Sequence, residues 1–325
     1  MQKKTIKWGI LGPGNIAHKF VSDLATVEDA ELFAVASRSK IKAEEFAATH
    51  KIAHSYGSYE AMLKNEELDV VYIATPHVFH YEHTLLCLKH SKAVLCEKPF
   101  AMNLEQVKEM ISVAKEKNVF LMEALWTYFL PHYKYLLKIV KEETFGKIKE
   151  FKADFGFAAQ YLPKKRLYNK SLGGGSLLDI GIYPVFAALS LLGRPDEIDA
   201  SALLCETGVD ETCDIKFNYK EGAVAHLSSA INKNLPTTAV IKFEKAVVTL
   251  VTRFYAPTEI LIQTEEQEER KTFDVKTIGY SFEAEHVQEM LKQRKMESDI
   301  MTFDMSLLLI ETLDNIRKKI NLEYN

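Results

Sequence analysis

The sequence predicts an α/β fold: a doubly wound parallel sheet in its N-terminal part, then an α/β domain built on an open, mostly antiparallel sheet. Three observations carry this. Up to residue 124, short apolar runs alternate with helical patterns, as parallel strands require because each needs a crossover connection. Beyond that point several strand-like runs follow one another with only turn residues between them, the pattern of antiparallel pairing. A length of 325 residues suits two domains, each of roughly 150 residues, and the change of pattern places them at 1–124 and 125–325.

In the first domain the strand-like runs are 6–11, 32–36, 70–74, 93–96 and 120–122. Helical periodicity fills 16–26, 41–50, 58–63, 77–89 and 104–117. The last of these has Asn103 as N-cap and Gln106 three residues on, a capping box. In the second domain a helix is expected over 133–141 and a strand over 149–156. The turn Gly173-Gly174-Gly175 then leads into an apolar helix over 177–192. Strands are expected at 197–205, 212–218, 223–229, 239–243, 246–251 and 259–263, and the charged stretch 265–271 reads as a solvated loop or edge. Helix returns from Phe282, with apolar residues at helical spacing over 303–320.

Composition narrows the function classes. A hydrophobic content of 47% with 26% charged residues is that of a globular chain, and a net charge of -4 gives no basic footprint for nucleic acid or an anionic membrane. The start, basic from Lys3, lacks the apolar stretch and cleavage site of a signal peptide. No apolar run is read as approaching the ~18 residues of a membrane span, the longest, 180–192, being broken by Gly181 and Pro184. The four cysteines, Cys87, Cys96, Cys205 and Cys213, have no metal-ligand spacing and read as reduced thiols of a cytoplasmic protein. No metal site is expected.

Gly12, Gly14 and Ala17 close the first strand and open the first helix with the spacing of the G-x-G-x-x-G/A fingerprint, which makes the first domain a Rossmann domain. Asn15 and Ile16 begin the helix, whose free N–H groups suit a pyrophosphate. The strand about 20 residues on is where an NAD site normally carries Asp or Glu for the ribose 2′-hydroxyl. This chain has Ser37 and Arg38 there, with Lys40 and Lys42 nearby, so NADP is expected in preference to NAD. The basic start of a solvated helix is the other reading of Lys40 and Lys42. At the carboxyl end of the strand 70–74, Thr75 and Pro76 would line the cofactor, while His77 and His80 either meet it or cap the following helix. A further strand ends in Glu97-Lys98-Pro99, which sets a lysine above the sheet where the nicotinamide would sit.

Far along the chain, Asp179 and Tyr183 stand four residues apart, on one face of a helix, in Gly173-Gly174-Gly175-Ser176-Leu177-Leu178-Asp179-Ile180-Gly181-Ile182-Tyr183. Taken with the glycine fingerprint and Glu97-Lys98-Pro99, this segment resembles the glucose–fructose oxidoreductase/inositol dehydrogenase (Gfo/Idh/MocA) family. Met122-Glu123-Ala124-Leu125-Trp126-Thr127 and the Tyr183 ending resemble its branch of dimeric dihydrodiol dehydrogenases and NADP-dependent D-xylose dehydrogenases. The likeness runs through nearly the whole chain.

The resemblance implies roles. Lys98 would orient substrate and favour ionisation of Tyr183, and Tyr183 would act as general base, or as acid in reduction. Asp179 would hold a substrate hydroxyl or the lysine, and Trp126 would wall the pocket. Glu97 and Lys98 would also border the cofactor. Relatives often have Arg where this chain has Tyr128, which puts recognition of an anionic substrate group at that point in doubt. The expected activity is hydride transfer between nicotinamide C4 and a secondary alcohol or hemiacetal carbon of a sugar or diol. The loops after Phe157 and Phe254 would decide the substrate, and a homodimer or larger homo-oligomer would form through the second sheet. An alternative is a catalytically silent dinucleotide sensor that binds a protein partner, although such a sensor needs neither Lys98 nor Tyr183. A reductase for a large tetrapyrrole ranks last.

Overall fold

The structure is a computed structural model that describes residues 5–324; the basic start, Lys3 and Lys4 included, lies outside them. The chain divides into two units, each discontinuous in sequence. One comprises the residues up to Phe129 together with Lys276–Leu307; the other comprises Leu130–Val275 and the residues from Leu308 on.

The first unit holds the strands β1 (Ile6–Leu11), β2 (Ala30–Ala36), β3 (His54–Tyr56), β4 (Val70–Ile73), β5 (Ala93–Glu97) and β6 (Leu121–Ala124). Its helices are α1 (Asn15–Leu24), α2 (Lys40–His50), α3 (Tyr59–Leu63), α4 (His80–Lys89) and α5 (Leu104–Lys117). The strands pair in parallel in the order β3-β2-β1-β4-β5-β6, the doubly wound Rossmann order. Every residue of β4 and β5 is buried, as expected of strands covered on both faces. Five strands were expected and six are present. β3 is three polar or aromatic residues long and carries no apolar run to announce it. The capping box forms in modified shape: Asn103 Oδ1 accepts from Gln106 N at 3.0 Å, while Gln106 Oε1 reaches the amide of Met102, not of Asn103.

The second unit carries α6 (Pro131–Lys141), α7 (Ile182–Leu192) and eight strands: β7 (Ile148–Gly156), β8 (Glu197–Leu204), β9 (Asp210–Asn218), β10 (Val224–Ala230), β11 (Ala239–Phe243), β12 (Val247–Leu250), β13 (Ile260–Gln263) and β14 (Glu268–Lys271). They pair in the order β14-β13-β12-β11-β7-β10-β9-β8, antiparallel except for β7 with β10. The charged stretch near 268 is thus an edge strand. Burial alternates along β8 and β9, so one face of the sheet is buried and packs α7 while the other meets solvent.

The expected helix over 177–192 is not uniform. It opens as a π-turn, Leu177–Gly181, and becomes α-helical only at Ile182. Pro184 accounts for this, because in a continuous α-helix its ring would press on the carbonyl of Ile180 and leave that carbonyl without a donor. The expectation about membrane spans also needs correction. The helical stretch Lys170–Leu192 has the length and mean hydropathy (1.7) of a span, yet 83% of its apolar window is buried, which identifies a core helix.

The remaining helices are α8 (Ser281–Lys292) and α9 (Phe303–Lys319). α8 belongs to the first unit, where the buried carboxylate of Asp23 on α1 accepts the amides of Ile278, Gly279 and Tyr280 at 2.7–3.0 Å. The amides of Ile278 and Gly279 lead into α8, and that of its N-cap, Tyr280, is one that the helix start cannot satisfy itself. α9 begins in the first unit and continues into the second.

Candidate active site

At the carboxyl edge of the first sheet, β1 runs into a turn at Gly12 with φ of +95°. A side chain there would be strained by that φ and would meet Thr75 Cγ2 at 2.7 Å, so the first glycine of the fingerprint is fixed by backbone and by β4 alike. Gly14 precedes α1 without a side-chain cap, leaving the N–H groups of Asn15 and Ile16 without acceptors of their own helix. A pyrophosphate fits such a helix start in both charge and hydrogen bonding.

Ser37, at the end of β2, is buried, and its Oγ accepts the amide of Ser39 at 3.2 Å. Arg38 is exposed, with its guanidinium 5.5 Å from the centroid of the Phe79 ring, and no carboxylate forms an ion pair with it among the described residues. It also interacts with the Tyr59 hydroxyl, whose ionisation burial opposes and Arg38 favours. Lys40 differs from Arg38: its Nζ bonds Ser55 O at 2.6 Å and lies 3.6 Å from Glu44, which makes it a brace between α2 and β3.

Thr75 and Pro76 follow β4, Thr75 half-buried and Pro76 exposed. His77 is buried in a short 3-10 turn, His77–Phe79, that precedes α4. His80 is 1% exposed and its two ring nitrogens face backbone carbonyls, Nδ1 at 2.8 Å from Pro99 O and Nε2 at 2.9 Å from Thr75 O. His83 contacts Thr75 Oγ1 at 3.0 Å, and burial, with His80 and Arg38 nearby, lowers its pKa to about 4, leaving it neutral at pH 7.

Buried acids fix the turn after β5. Tyr72 donates from its hydroxyl to Glu97 Oε1, and Glu97 Oε2 accepts the amide of Lys98 at 3.2 Å. The Lys98–Pro99 peptide is cis. The next amide, of Phe100, donates to Glu123 Oε1 at 3.0 Å, and Ser306 donates to Glu123 Oε2 at 2.8 Å. Burial raises the pKa of Glu123 to about 7, against the pull of those two donors. With its backbone held at Glu97, Pro99 and Phe100, Lys98 has a half-buried side chain at the sheet edge. Trp126, 4% exposed, stacks on Tyr280 with centroids 4.4 Å apart. Tyr128 is half-buried, and burial raises its pKa.

In the second unit the glycine turn is built around Asp210, whose Oδ2 accepts both the Ser176 hydroxyl and the Leu177 amide at 2.7 Å. Gly175, with φ of +119°, has no room for a side chain, since a Cβ would lie 2.1 Å from Asp210 Oδ1. Tyr324 donates to Gly174 O at 2.6 Å. The π-turn that follows carries Asp179, whose Oδ1 is 3.1 Å from Arg166 Nη2. Tyr183, 6% exposed, lies among aromatic rings, with Tyr255 at 4.9 Å and Phe155 at 5.8 Å, and those two rings stack on each other at 4.3 Å. Asp179 and Tyr183 therefore belong to one helical segment, beside an apolar wall.

Sequence reasoning missed Tyr72, Glu123, Arg166, Asp210, Tyr255 and Tyr324. The loops after Phe157 and Phe254 pointed to the neighbourhoods of Arg166 and Tyr255, and Glu123 lies within the segment Met122–Thr127 that carried the resemblance, but none was singled out as a site residue. The partners of these side chains lie between 13 and 183 positions away. Among the described residues no three His, Cys, Asp or Glu side chains are grouped as metal ligands, and all four cysteines are free thiols.

Comparison with known proteins agrees in extent with this architecture. Residues 6–125 match the family described as "Oxidoreductase family, NAD-binding Rossmann fold", and residues 133–249 match the "GFO/IDH/MocA C-terminal domain". The chain is 37% identical over 328 residues to the trans-1,2-dihydrobenzene-1,2-diol dehydrogenase of Xenopus tropicalis, covering 98% of this chain and 99% of that protein. The Homo sapiens protein of the same name is 35% identical over 330 residues, with 98% of each chain covered. Among solved structures, an aldose-aldose oxidoreductase from Caulobacter crescentus, complexed with glycerol, superposes with a TM-score of 0.89 at 24% identity. KijD10, a 3-ketoreductase from Actinomadura kijaniata in complex with NADP and TDP-benzene, gives 0.88 at 23%. Each of these structures matches 98% of both chains, and at such identities the likeness is one of fold.

Proposed function

The chain belongs to the GFO/IDH/MocA oxidoreductase family and is a dehydrogenase acting on CH–OH donors, and from that premise we propose that it oxidises a secondary alcohol or hemiacetal of a diol or sugar, reversibly, with NADP. The observation that carries the proposal is the setting of Tyr183, a buried tyrosine one helical turn from Asp179 and flanked by the stacked rings of Phe155 and Tyr255. Such a wall suits the apolar face of a ring, while the phenol and carboxylate suit its hydroxyls.

Bound NADP supplies the hydride acceptor, C4 of its nicotinamide. Gly12, Gly14, Asn15 and Ile16 take the pyrophosphate, and Ser37 and Arg38 take the 2′-phosphate, in keeping with a guanidinium that no carboxylate pairs among the described residues. Thr75, Pro76, His77, His80, Glu97 and Lys98 border the cofactor, His80 by bracing two of the backbone segments concerned. In oxidation the substrate O–H donates its proton to Tyr183 Oη; in reduction Tyr183 returns it. Lys98 assists with its positive charge, Asp179 holds the substrate hydroxyl, and Trp126 contributes an apolar wall. Two further readings belong to the same proposal. Free cysteines suit a cytoplasmic setting. A homodimer would use the second sheet, where Leu203 and Leu204 of the edge strand β8 are 55% and 41% exposed. No observation favours the silent sensor.

The test is a fluorescence titration with NADPH and NADH, followed by turnover with NADP on trans-diols, aldoses and inositols. Tighter NADPH binding and turnover of at least one alcohol class are expected. Binding with no turnover across the panel would overturn the enzymatic reading.

A further inference from the structure

Arg166 lies in the loop between β7 and the glycine turn, at the start of a 3-10 turn, Arg166–Tyr168. Its backbone is closely held. Tyr168 is 2% exposed and donates its hydroxyl to Ile231 O at 3.2 Å. Gly175 donates its amide to Leu167 O, and Gly174 to Asn169 O, each at 2.9 Å. The loop presses so closely on the turn that a Cβ on Gly174 would meet the carbonyl oxygens of Arg166 and Leu167 at 2.6 Å. From this fixed point the guanidinium reaches Asp179, Nη2 to Oδ1 at 3.1 Å. The two side chains are unequally covered, 40% exposed for Arg166 and 15% for Asp179. A guanidinium has five N–H donors in a planar fork, and the contact with Asp179 occupies one nitrogen.

We propose that Arg166 is a positioning and specificity-determining residue: it holds Asp179 as an aimed carboxylate, and its remaining donors bind a second substrate oxygen adjacent to the one that Asp179 accepts. The substrate class this selects is a molecule with neighbouring oxygens, a vicinal diol or polyol, over a simple secondary alcohol. The pairing of Asp179 with Arg166 is independent of the function proposed above; the substrate selection rests on it. Among the groups near Asp179 are Arg166 from the loop, at 3.1 Å, and Tyr324 from the segment after α9. Burial and the carboxylates of Asp210 and Asp179 disfavour ionisation of Tyr324, which Arg317 opposes, while Arg166 is the cation in direct contact with Asp179.

The experiment uses the full chain with Arg166→Met and Arg166→Lys. Carbon-13 NMR of aspartate carboxyls, with Asp179→Asn to assign the signal, follows the titration of Asp179. Loss of the adjacent cation should raise its midpoint relative to wild type by about one to three pH units in Arg166→Met, while Arg166→Lys stays close to wild type. In turnover, the preference for a vicinal diol over the matching mono-alcohol should fall about 10- to 100-fold in Arg166→Met, as expected when a charge-assisted bond is lost. The loss should appear in kcat/KM, with NADPH affinity unchanged. An unmoved Asp179 midpoint would overturn the positioning role, and this arm stands even if the wild type turns over no alcohol. A moved midpoint with an unchanged diol preference in an active enzyme would overturn the specificity role. Should Arg166→Met fail to fold, the same comparisons are made with Arg166→Lys and Arg166→Gln, of which only the second should lose the effect.

Discussion

Asp210 on β9 takes the hydroxyl of Ser176 at 2.7 Å, and through the same oxygen takes the Leu177 amide, so one buried carboxylate sets the first residues of the π-turn that bears Asp179. The residues nearest the proposed chemistry are thus anchored by a side chain 31 positions beyond Asp179 in sequence. Replacing Asp210 by alanine should remove both bonds and lower stability by about 2–4 kcal/mol, the cost of leaving buried donors unpaired. Chemical denaturation checks the stability. Stopped-flow turnover should show a greater loss in kcat than in NADPH affinity.

Glu123 gives a pH signature. Its pKa is raised by burial from the ordinary carboxylate value of 4.5 to about 7. Between those values the folded chain keeps a proton that the unfolded chain has lost, so this group's contribution is present below pH 4.5 and disappears as pH rises through 7. Glu123→Gln should flatten that part of the stability curve, by on the order of 2–3 kcal/mol across the window. Urea midpoints at pH 5 to 8 measure it. An identical slope in both proteins would count against a buried neutral carboxyl.

On the proposed reading, Arg38 is the residue that separates the two cofactors. Arg38→Ala should weaken NADPH binding by about 10- to 100-fold, the worth of a charge-assisted pair, and leave NADH nearly unchanged. Dissociation constants from fluorescence titration read the ratio directly. Equal losses for both dinucleotides would place Arg38 on the shared adenosine and not on the 2′-phosphate.

Much of the fold was legible because it rests on local pattern. The glycine fingerprint, the buried runs of β4 and β5, and the alternation along β8 each report their own surroundings. What escaped was what long-range contact decides. β3 exists because His54, Ser55 and Tyr56 pair with β2, not because of their own character. Lys276–Leu307 returns to the first unit through contacts such as that of Asp23, an acid on α1 whose carboxylate serves amides more than 250 positions away. The π-turn left one trace, Pro184, early in an otherwise apolar helix. In the candidate site, motifs pointed to Lys98, Asp179 and Tyr183, while the supporting roles of Glu123, Arg166 and Asp210 become visible only through their partners.

The central claim is that Tyr183 moves the proton of the reacting hydroxyl. The most direct test is single-turnover reduction of NADP by the diol or sugar substrate in wild type and Tyr183→Phe, with NADPH affinity measured on both. The account predicts a loss of about 10²- to 10⁴-fold in the rate of hydride transfer, as for removal of a general base, with NADPH affinity unchanged within twofold or so. A Tyr183→Phe enzyme that reduces NADP at the wild-type rate would contradict it.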